Sequence, residues 1–273
     1  MKINQAFETL RAAGGIRAAR IITEKNPKIS RLSVWIAAKK LRRGVPVAKI
    51  TGRRWFFGIE FHTNRHTLDP RPDTETLVSA VLADHGANGS VRATANTPAG
   101  PRILDLGTGT GCIIISVCAN LAGAHGVAID ISRGARRVAR KNVRENGLAE
   151  RISVRRGNFM RTMNIDGRFD VIVSNPPYIA RDDARVDAGA MHDPAVALYA
   201  RDAGYATYTA IAKNAKKLIE KDGKMYLEIG ADMGDRVRDI FTSAGWRFVR
   251  AVCDLGGVER VLIFAAPADG ATA

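Results

Sequence analysis

Cysteine is scarce in this 273-residue chain: Cys112, Cys118 and Cys253 form no Cys-x-x-Cys pair and are odd in number. That excludes a disulfide framework and paired-thiolate zinc sites, and it leaves reduced thiols, expected to be buried because all three fall in apolar segments. The five histidines show no metal-ligand spacing. His62 and His66 are four apart but lie in the stretch before Pro70, not on a convincing helix, so no metal is expected. No apolar run approaches the ~18 residues of a membrane span, although a hydrophobic content of 46% supports a real core. Acidic residues are short as well, 27 against 42 Lys and Arg, for a net charge of +15. The shortage is steepest at the start, where fourteen Lys or Arg residues through Arg54 face only Glu8 and Glu24, a balance of +12. Such a segment suits contact with an acidic protein or a nucleic acid, or else a solvated helical surface. Its composition also resembles an organelle transit segment, but the hydrophobic helix pattern continues to Leu41, which argues against that reading.

The patterning divides the chain into three parts. Residues 1–44 read as short helices, with apolar positions such as Phe7, Leu10, Ile21, Ile22, Val34 and Leu41 interrupted at Gly14-Gly15 and Asn26-Pro27. Residues 45–72 read as a β-rich connector with a hairpin at Phe56-Phe57-Gly58-Ile59-Glu60-Phe61. In residues 73–273 a helix is expected from Thr74 to Ala83, then a loop over Ala87–Pro101 rich in Gly, Ala, Thr and Asn. Strands are expected near 102–106, 126–130, 152–156, 169–174, 224–229, 246–252 and 259–265, alternating with helices, which is the signature of an α/β fold.

Two motifs carry chemistry. Asn175-Pro176-Pro177-Tyr178 follows the apolar run Phe169–Ser174. An amide or aniline-like nitrogen is a poor nucleophile because its lone pair is delocalised. The side-chain oxygen of Asn175 and the carbonyl of Pro176 are placed to accept one N–H each, favouring the pyramidal nitrogen of the transition state. The two prolines fix φ and remove competing donors, and Tyr178 offers a ring face for stacking. Alone, the tetrapeptide reads equally well as a Pro-rich turn. The second motif is the strand Ile103–Leu106 running into Gly107-Thr108-Gly109-Thr110-Gly111 and the apolar helical segment Cys112–Leu121, a nucleotide-binding βα unit. Its spacing, Asp-x-Gly-x-Gly-x-Gly, departs from the dinucleotide fingerprint. The carboxylate of Asp105 suits the ammonium group of S-adenosylmethionine better than a pyrophosphate. Asp130, ending the next strand, is placed for ribose hydroxyls.

With these residues in view, the chain resembles the release-factor protein-(glutamine-N5) methyltransferase family (PrmC/HemK) from about Arg43 to Phe264. The resemblance rests on Gly52, Phe56-Phe57-Gly58, Pro70-Arg71-Pro72-Asp73-Thr74-Glu75, Leu104–Gly111, Asp130, Asn175–Tyr178 and Tyr226-Leu227-Glu228-Ile229-Gly230. The Asn-Pro-Pro-Tyr element is shared with adenine-N6 and other amino-methylating enzymes, and the Pro70–Glu75 segment is the more specific marker. It implies a seven-stranded class I methyltransferase sheet of Rossmann-like type, a small N-terminal helical domain that recognises the substrate, and a β-hairpin connector. It implies methyl transfer from S-adenosylmethionine to the glutamine of the GGQ loop of a class I peptide chain release factor. A cytoplasmic monomer is expected, with the organelle matrix as a second compartment and nucleic-acid contact left open. Asp105 and Gly107, Thr108, Gly109, Thr110 and Gly111 would hold the methionine end of the donor and Asp130 the ribose. Phe159 would flank the adenine, and Asn175 would border both donor and acceptor. The acceptor side chain would lie among Asn175, Pro176, Pro177, Tyr178 and Leu68.

Three positions depart from the family pattern: Leu68 stands where a phenylalanine is frequent, Asn158 where an Asp is usual, and His192-Asp193-Pro194 where an aromatic-Glu-Pro is usual. Each assignment also has a structural alternative. Asp105 would cap the following helix, Asp130 would serve a turn, Phe159 would be core, Arg71 and Glu75 would pin the connector by a salt bridge, and Glu228 is expected to be structural. Adenine-N6 methylation of DNA or RNA, and a catalytically idle nucleic-acid-binding relative, are the competing functions. The first predicts an added base-recognition domain, and this chain has no obvious insertion of that kind.

Overall fold

A computed structural model of the protein describes residues 2–86, 100–180 and 190–267. Its chain order is α1 (Ile3–Lys25), α2 (Arg31–Arg42), α3 (Val47–Thr51), β1 (Arg53–Phe56), β2 (Ile59–His62), α4 (Glu75–His85), β3 (Arg102–Leu106), α5 (Cys112–Asn120) and β4 (His125–Asp130). There follow α6 (Arg133–Glu145), β5 (Ile152–Arg156), β6 (Phe169–Ser174), α7 (Ala195–Leu198), α8 (Ala206–Asn214), β7 (Ile219–Glu228), α9 (Gly234–Ser243), β8 (Arg247–Cys253) and β9 (Glu259–Ala265). The loop expected over Ala87–Pro101 lies outside the described residues except for its last two.

β3 to β9 form a seven-stranded sheet in the order β5-β4-β3-β6-β7-β9-β8, parallel from β5 to β7 and antiparallel at β9 and β8. Strand alternation decides which side chain goes to which face. Ile103, Val171, Val173, Tyr226 and Ile263 pack against α4 and α5, while Leu104, Leu106, Ile172, Met225 and Leu227 pack against α8 and α9. With helices on both faces the buried stretches of the central strands are mostly apolar, as a parallel sheet favours. Each parallel strand ends at the same edge, where β3 is followed by the glycine loop, β4 by Asp130 and β6 by Asn175. Ser174 Oγ donates to the carbonyl of Leu106 at 2.8 Å, tying the ends of β6 and β3 together.

The N-terminal helices have a core of their own: Ala6, Leu10, Ala19, Ile22, Val34, Ala37 and Ala38, with Val47 and Ile50 of α3 packed against it. α1 is interrupted at Gly15 (φ 83°, ψ 172°), where the sequence has its Gly-Gly pair. β1 and β2 form the expected hairpin, turning at Phe57 and Gly58, both with positive φ.

Three expectations need correction. Cys253 is exposed, because it ends the edge strand β8, whereas Cys112 and Cys118 are buried. β7 begins at Ile219 and not near 224, since its polar first half, Glu220-Lys221-Asp222-Gly223, reads as a breaker but still follows the strand past an irregularity in its pairing with β6. Arg71 and Glu75 both pin the connector, but to different partners. Arg71 Nη2 pairs with Asp193 Oδ2 at 2.9 Å, and Glu75 Oε1 accepts the backbone N–H of Phe57 at 2.9 Å. Asp193 is the centre of a buried ion cluster, in which Lys49 Nζ lies 2.8 Å from Asp193 Oδ1 and 2.9 Å from Asp69 Oδ1.

Candidate active site

The glycine loop starts where β3 stops. Backbone N–H groups of Gly107 and Thr108 both donate to the carbonyl of Ile129 at 2.9 Å, latching the loop to β4. Gly107 has φ +77°, and a Cβ there would lie 3.2 Å from the ring of Phe159, so glycine keeps both the turn and the ring's approach. Gly111, also left-handed, opens α5. Thr110 gives its carbonyl to Asn142 Nδ2 of α6 at 2.8 Å, so α6 braces the loop from behind. Asp130 Oδ2 accepts from Gly109 N at 3.0 Å and Oδ1 from Ser132 N at 2.7 Å, leaving each oxygen a free lone pair.

Asp105 is fully buried under this loop. Thr108 Oγ1 donates to its Oδ2 at 2.6 Å, while among the described residues Oδ1 has no well-formed hydrogen bond, only the backbone N–H of Ile114 near it. Burial pushes its pKa up to about 7, the Thr108 bond opposes that, and the nearby Asp130 adds to it. A buried carboxylate oxygen without a well-formed hydrogen bond costs about 1–3 kcal/mol, a cost that a cationic group approaching it would relieve.

Between the loop and Asn175 is a cavity of about 320 Å³. Gly107–Thr110, Asp130–Ser132 and Gly157–Met160 form one side; Leu68–Arg71, Thr74, Asn175 and Pro177 form the other; Tyr199–Arg201 and Thr207 close it. The volume falls at the lower end of the ~300–1,000 Å³ typical of small-molecule sites. Phe159 and Leu68 both line it, as does Asn158, whose Oδ1 accepts from Met160 N at 3.0 Å. Ile131, Met160 and Val196, all exposed, give it an apolar rim. A diol and an adenine ring match the half-open Asp130 and the Phe159 wall, and the Asp105 carboxyl buried behind the glycine loop favours an ammonium on that side, so these residues fit S-adenosylmethionine.

Asn175 Nδ2 donates to Thr74 Oγ1 at 3.1 Å, and among the described residues nothing donates to its Oδ1. Pro176 is buried, and its carbonyl accepts no hydrogen bond from any described residue. The carbonyl of Pro177 is taken by Thr207 Oγ1 at 2.7 Å. Asp105, Pro176 and Tyr178 are not part of the cavity wall. The Tyr178 ring packs on Gly230, and burial pushes its phenol well up, beyond the range of titration near neutrality. Two participants escaped the sequence reading of the site. Thr74 lies on its wall, and Glu228, buried at the end of β7, has Thr74 and Asn175 as hydrogen-bonding neighbours. The marker segment Pro70–Glu75 held the clue to Thr74, and the segment Tyr226–Gly230 held Glu228, which was expected to be structural.

Fold and site together define a methyltransferase. Residues 77–193 match the family model described as methyltransferase small domain. The chain is 40% identical over 248 residues to the release factor glutamine methyltransferase of Agrobacterium fabrum, covering 89% of this chain and 83% of the relative. It is 37% identical over 241 residues to that of Cereibacter sphaeroides, covering 88% and 80%. It also matches the bifunctional methyltransferase of Rickettsia felis at 38% identity, over 80% of this chain but 45% of that longer protein. The chain therefore belongs to the release factor glutamine methyltransferase family. Among solved structures, the hMettl16 catalytic domain in complex with the MAT2A 3′UTR hairpin 6 shares the fold with a TM-score of 0.61 at 18% identity, covering 84% of this chain and 82% of that one. The ribosomal protein L11 methylase from Lactobacillus delbrueckii subsp. bulgaricus does so at 0.50 and 17%, over 76% and 86%.

Proposed function

We propose that this protein transfers a methyl group from S-adenosylmethionine to the side-chain amide nitrogen (N5) of the glutamine in the GGQ loop of a class I peptide chain release factor, acting as a cytoplasmic monomer. The observation that carries this reading is a pair of acceptors that no described residue engages, Asn175 Oδ1 on the wall of a cavity that faces the glycine loop and the Pro176 carbonyl next to it in the chain. The donor supplies, when bound, a methyl group already activated on a sulfonium. What remains for the chain is alignment, desolvation and electrostatics.

Asn175 and Pro176 would each accept one proton of the carboxamide, localising the nitrogen lone pair for attack. Leu68 and Pro177 on the wall would pack the aliphatic stem, with Tyr178 supporting the Asn175–Pro177 turn from behind. Asp105, Gly107–Gly111, Asp130 and Phe159 would hold the donor. The proton shed by the alkylated nitrogen is acidic enough to pass to water. The apolar rim of Ile131, Met160 and Val196 suits a protein loop better than a polyanion. Residues 1–44 would grip the body of the release factor, with the connector at 45–72 setting its distance from the catalytic domain at 73–273.

The test is purified protein with radiolabelled donor, offered a release factor, its Gln→Ala variant at the GGQ loop, or nucleic acid. Label on the unaltered factor alone is expected. Label on nucleic acid, or on neither, rejects the proposal.

A further inference from the structure

An asparagine side chain is nearly symmetric in shape, yet only one of its two ends accepts a hydrogen bond. Something must decide that Oδ1, and not Nδ2, is left for the reacting amide. Asn175 Nδ2 is held on Thr74 Oγ1 at 3.1 Å, and Thr74 is itself buried. The register of β6 and β7 sets Ser174 opposite Leu227 and so brings the buried Glu228 beside Asn175, where the side-chain hydrogens of both Thr74 and Asn175 favour its carboxylate. A carboxylate has acceptors only. It therefore fixes the direction of the whole relay, from Asn175 N–H to Thr74 oxygen and from Thr74 O–H to Glu228.

We propose that Glu228 is the positioning residue of the transfer reaction: acting on Asn175 directly and through Thr74, and only as the carboxylate, it keeps the oxygen end of the Asn175 amide facing the acceptor nitrogen. The proposal rests on the role given to Asn175 above. Once protonated, Glu228 becomes a donor to Thr74. The Thr74 proton then turns to Asn175, which satisfies it only by flipping Oδ1 inward. Nδ2 would then meet the substrate N–H groups, donor against donor.

Glu228 is 2% exposed, and its Oε2 has no hydrogen-bond partner among the described residues. Burial is the main force on its protonation and raises its pKa to about 7. Asp73 raises it further while Arg260 of β9 lowers it, and these two pair with each other at 3.2 Å. Tyr178, Tyr208 on α8 and Cys112 on α5 also feel its charge, but burial holds all three neutral, and the Tyr208 hydroxyl bonds the backbone carbonyl of Glu228 at 3.2 Å. Glu228 is thus the group of this cluster that changes charge near neutrality.

The test pairs kinetics with a spectroscopic readout. In the wild-type protein kcat is expected to rise through a single ionisation near pH 7. E228Q should lose that limb and fall roughly tenfold at high pH, the value of one lost hydrogen bond, and T74V should weaken it, with donor affinity unchanged by calorimetry. T74S, which keeps the hydroxyl, should recover the limb. Independently of any substrate, the side-chain 15N–1H pair of Asn175, identified by its loss in N175A, should shift with a midpoint near pH 7 in the wild type and stay constant in E228Q. A wild-type pH limb surviving in E228Q, or an Asn175 signal indifferent to pH, overturns the proposal. A protein that labels no release factor yet shows the Asn175 titration would instead fail the substrate reading and leave the relay standing.

Discussion

At the residue scale, two side chains have separable duties that measurement should pull apart. Asn175→Ala removes an acceptor that acts on charge developing at the nitrogen, so kcat/KM for the release factor should drop by about 10²–10³-fold. Donor affinity, read by calorimetry, should stay near the wild-type value, because Asn175 is one wall residue among many. Lost donor affinity with normal turnover would reverse that assignment. Asp105 behaves in the opposite way. In the free protein burial holds its pKa at about 7, and a bound ammonium would favour the carboxylate. Donor binding is therefore expected to expel a proton below pH 7 and to weaken as pH falls from 8 to 6. Calorimetry in buffers of different ionisation heat measures that proton, and Asp105→Asn should abolish it. The same raised pKa has a cost for the free protein. A carboxyl whose folded pKa exceeds its unfolded value contributes stability below the unfolded value, and that contribution is lost as pH rises through the folded one. Between pH 5 and 8 the wild type should lose denaturation free energy relative to Asp105→Asn, and added donor should restore it.

At the element scale, what was legible follows from the range of the forces involved. The strands from Arg102 onward were visible because each central one is buried on both faces, which the sequence records as unbroken apolar runs such as Val171-Ile172-Val173. The strand ends that carry Asp105, Asp130 and Asn175 were visible because chain order alone puts them at one edge of a parallel sheet. β7 was read short because Lys221-Asp222-Gly223 carries local breaker chemistry and makes the irregularity opposite β6, while Ile219 paired with Phe169 and Lys224 with Val171 carry the strand across it. The ion cluster was invisible for a different reason. Asp193 meets Arg71 and the backbone of Asp69 across 122 and 124 residues of sequence, and Asn175 meets Thr74 across 101; no local pattern encodes such pairs. Asp193→Ala leaves Lys49 and Arg71 without their shared carboxylate, and Lys49 is almost wholly buried. Removing one partner of a buried pair costs about 3–5 kcal/mol, so a drop of that order is expected in the urea-denaturation free energy. A change near zero would mean that the cluster is solvated in the working protein.

On the scale of the whole molecule, the charge imbalance and the position of the cavity pose one question. The segment through Arg54 has +12 of the +15 net charge, yet the catalytic cavity is rimmed by apolar groups. The two features belong to different parts of one encounter if the basic helices bring an acidic protein surface near while the rim accepts its loop. A groove of about 710 Å³ between α1 and α2, with Ile22, Ile29 and Ile36 beside Lys28 and Lys40, is the place where such a surface would rest. Trp35 and Trp55 stand exposed nearby, with Lys39 and Lys25 over their rings at 5.1 and 5.7 Å. Charge that steers encounter is screened beyond about 8 Å at physiological salt. Raising the salt should therefore raise KM for an intact release factor with little effect on kcat, and K28E/K40E should do the same at low salt by roughly three- to tenfold. Lys28 and Lys40 are chosen because Lys25 pairs with Glu60 of the hairpin, and its loss would disturb the connector as well. A short glutamine peptide reaches the cavity without touching the groove, so its KM should ignore both changes. If salt and K28E/K40E moved the peptide and the intact factor equally, the basic segment would be acting on the cavity's own field, and the division of labour between grip and chemistry would have to be abandoned.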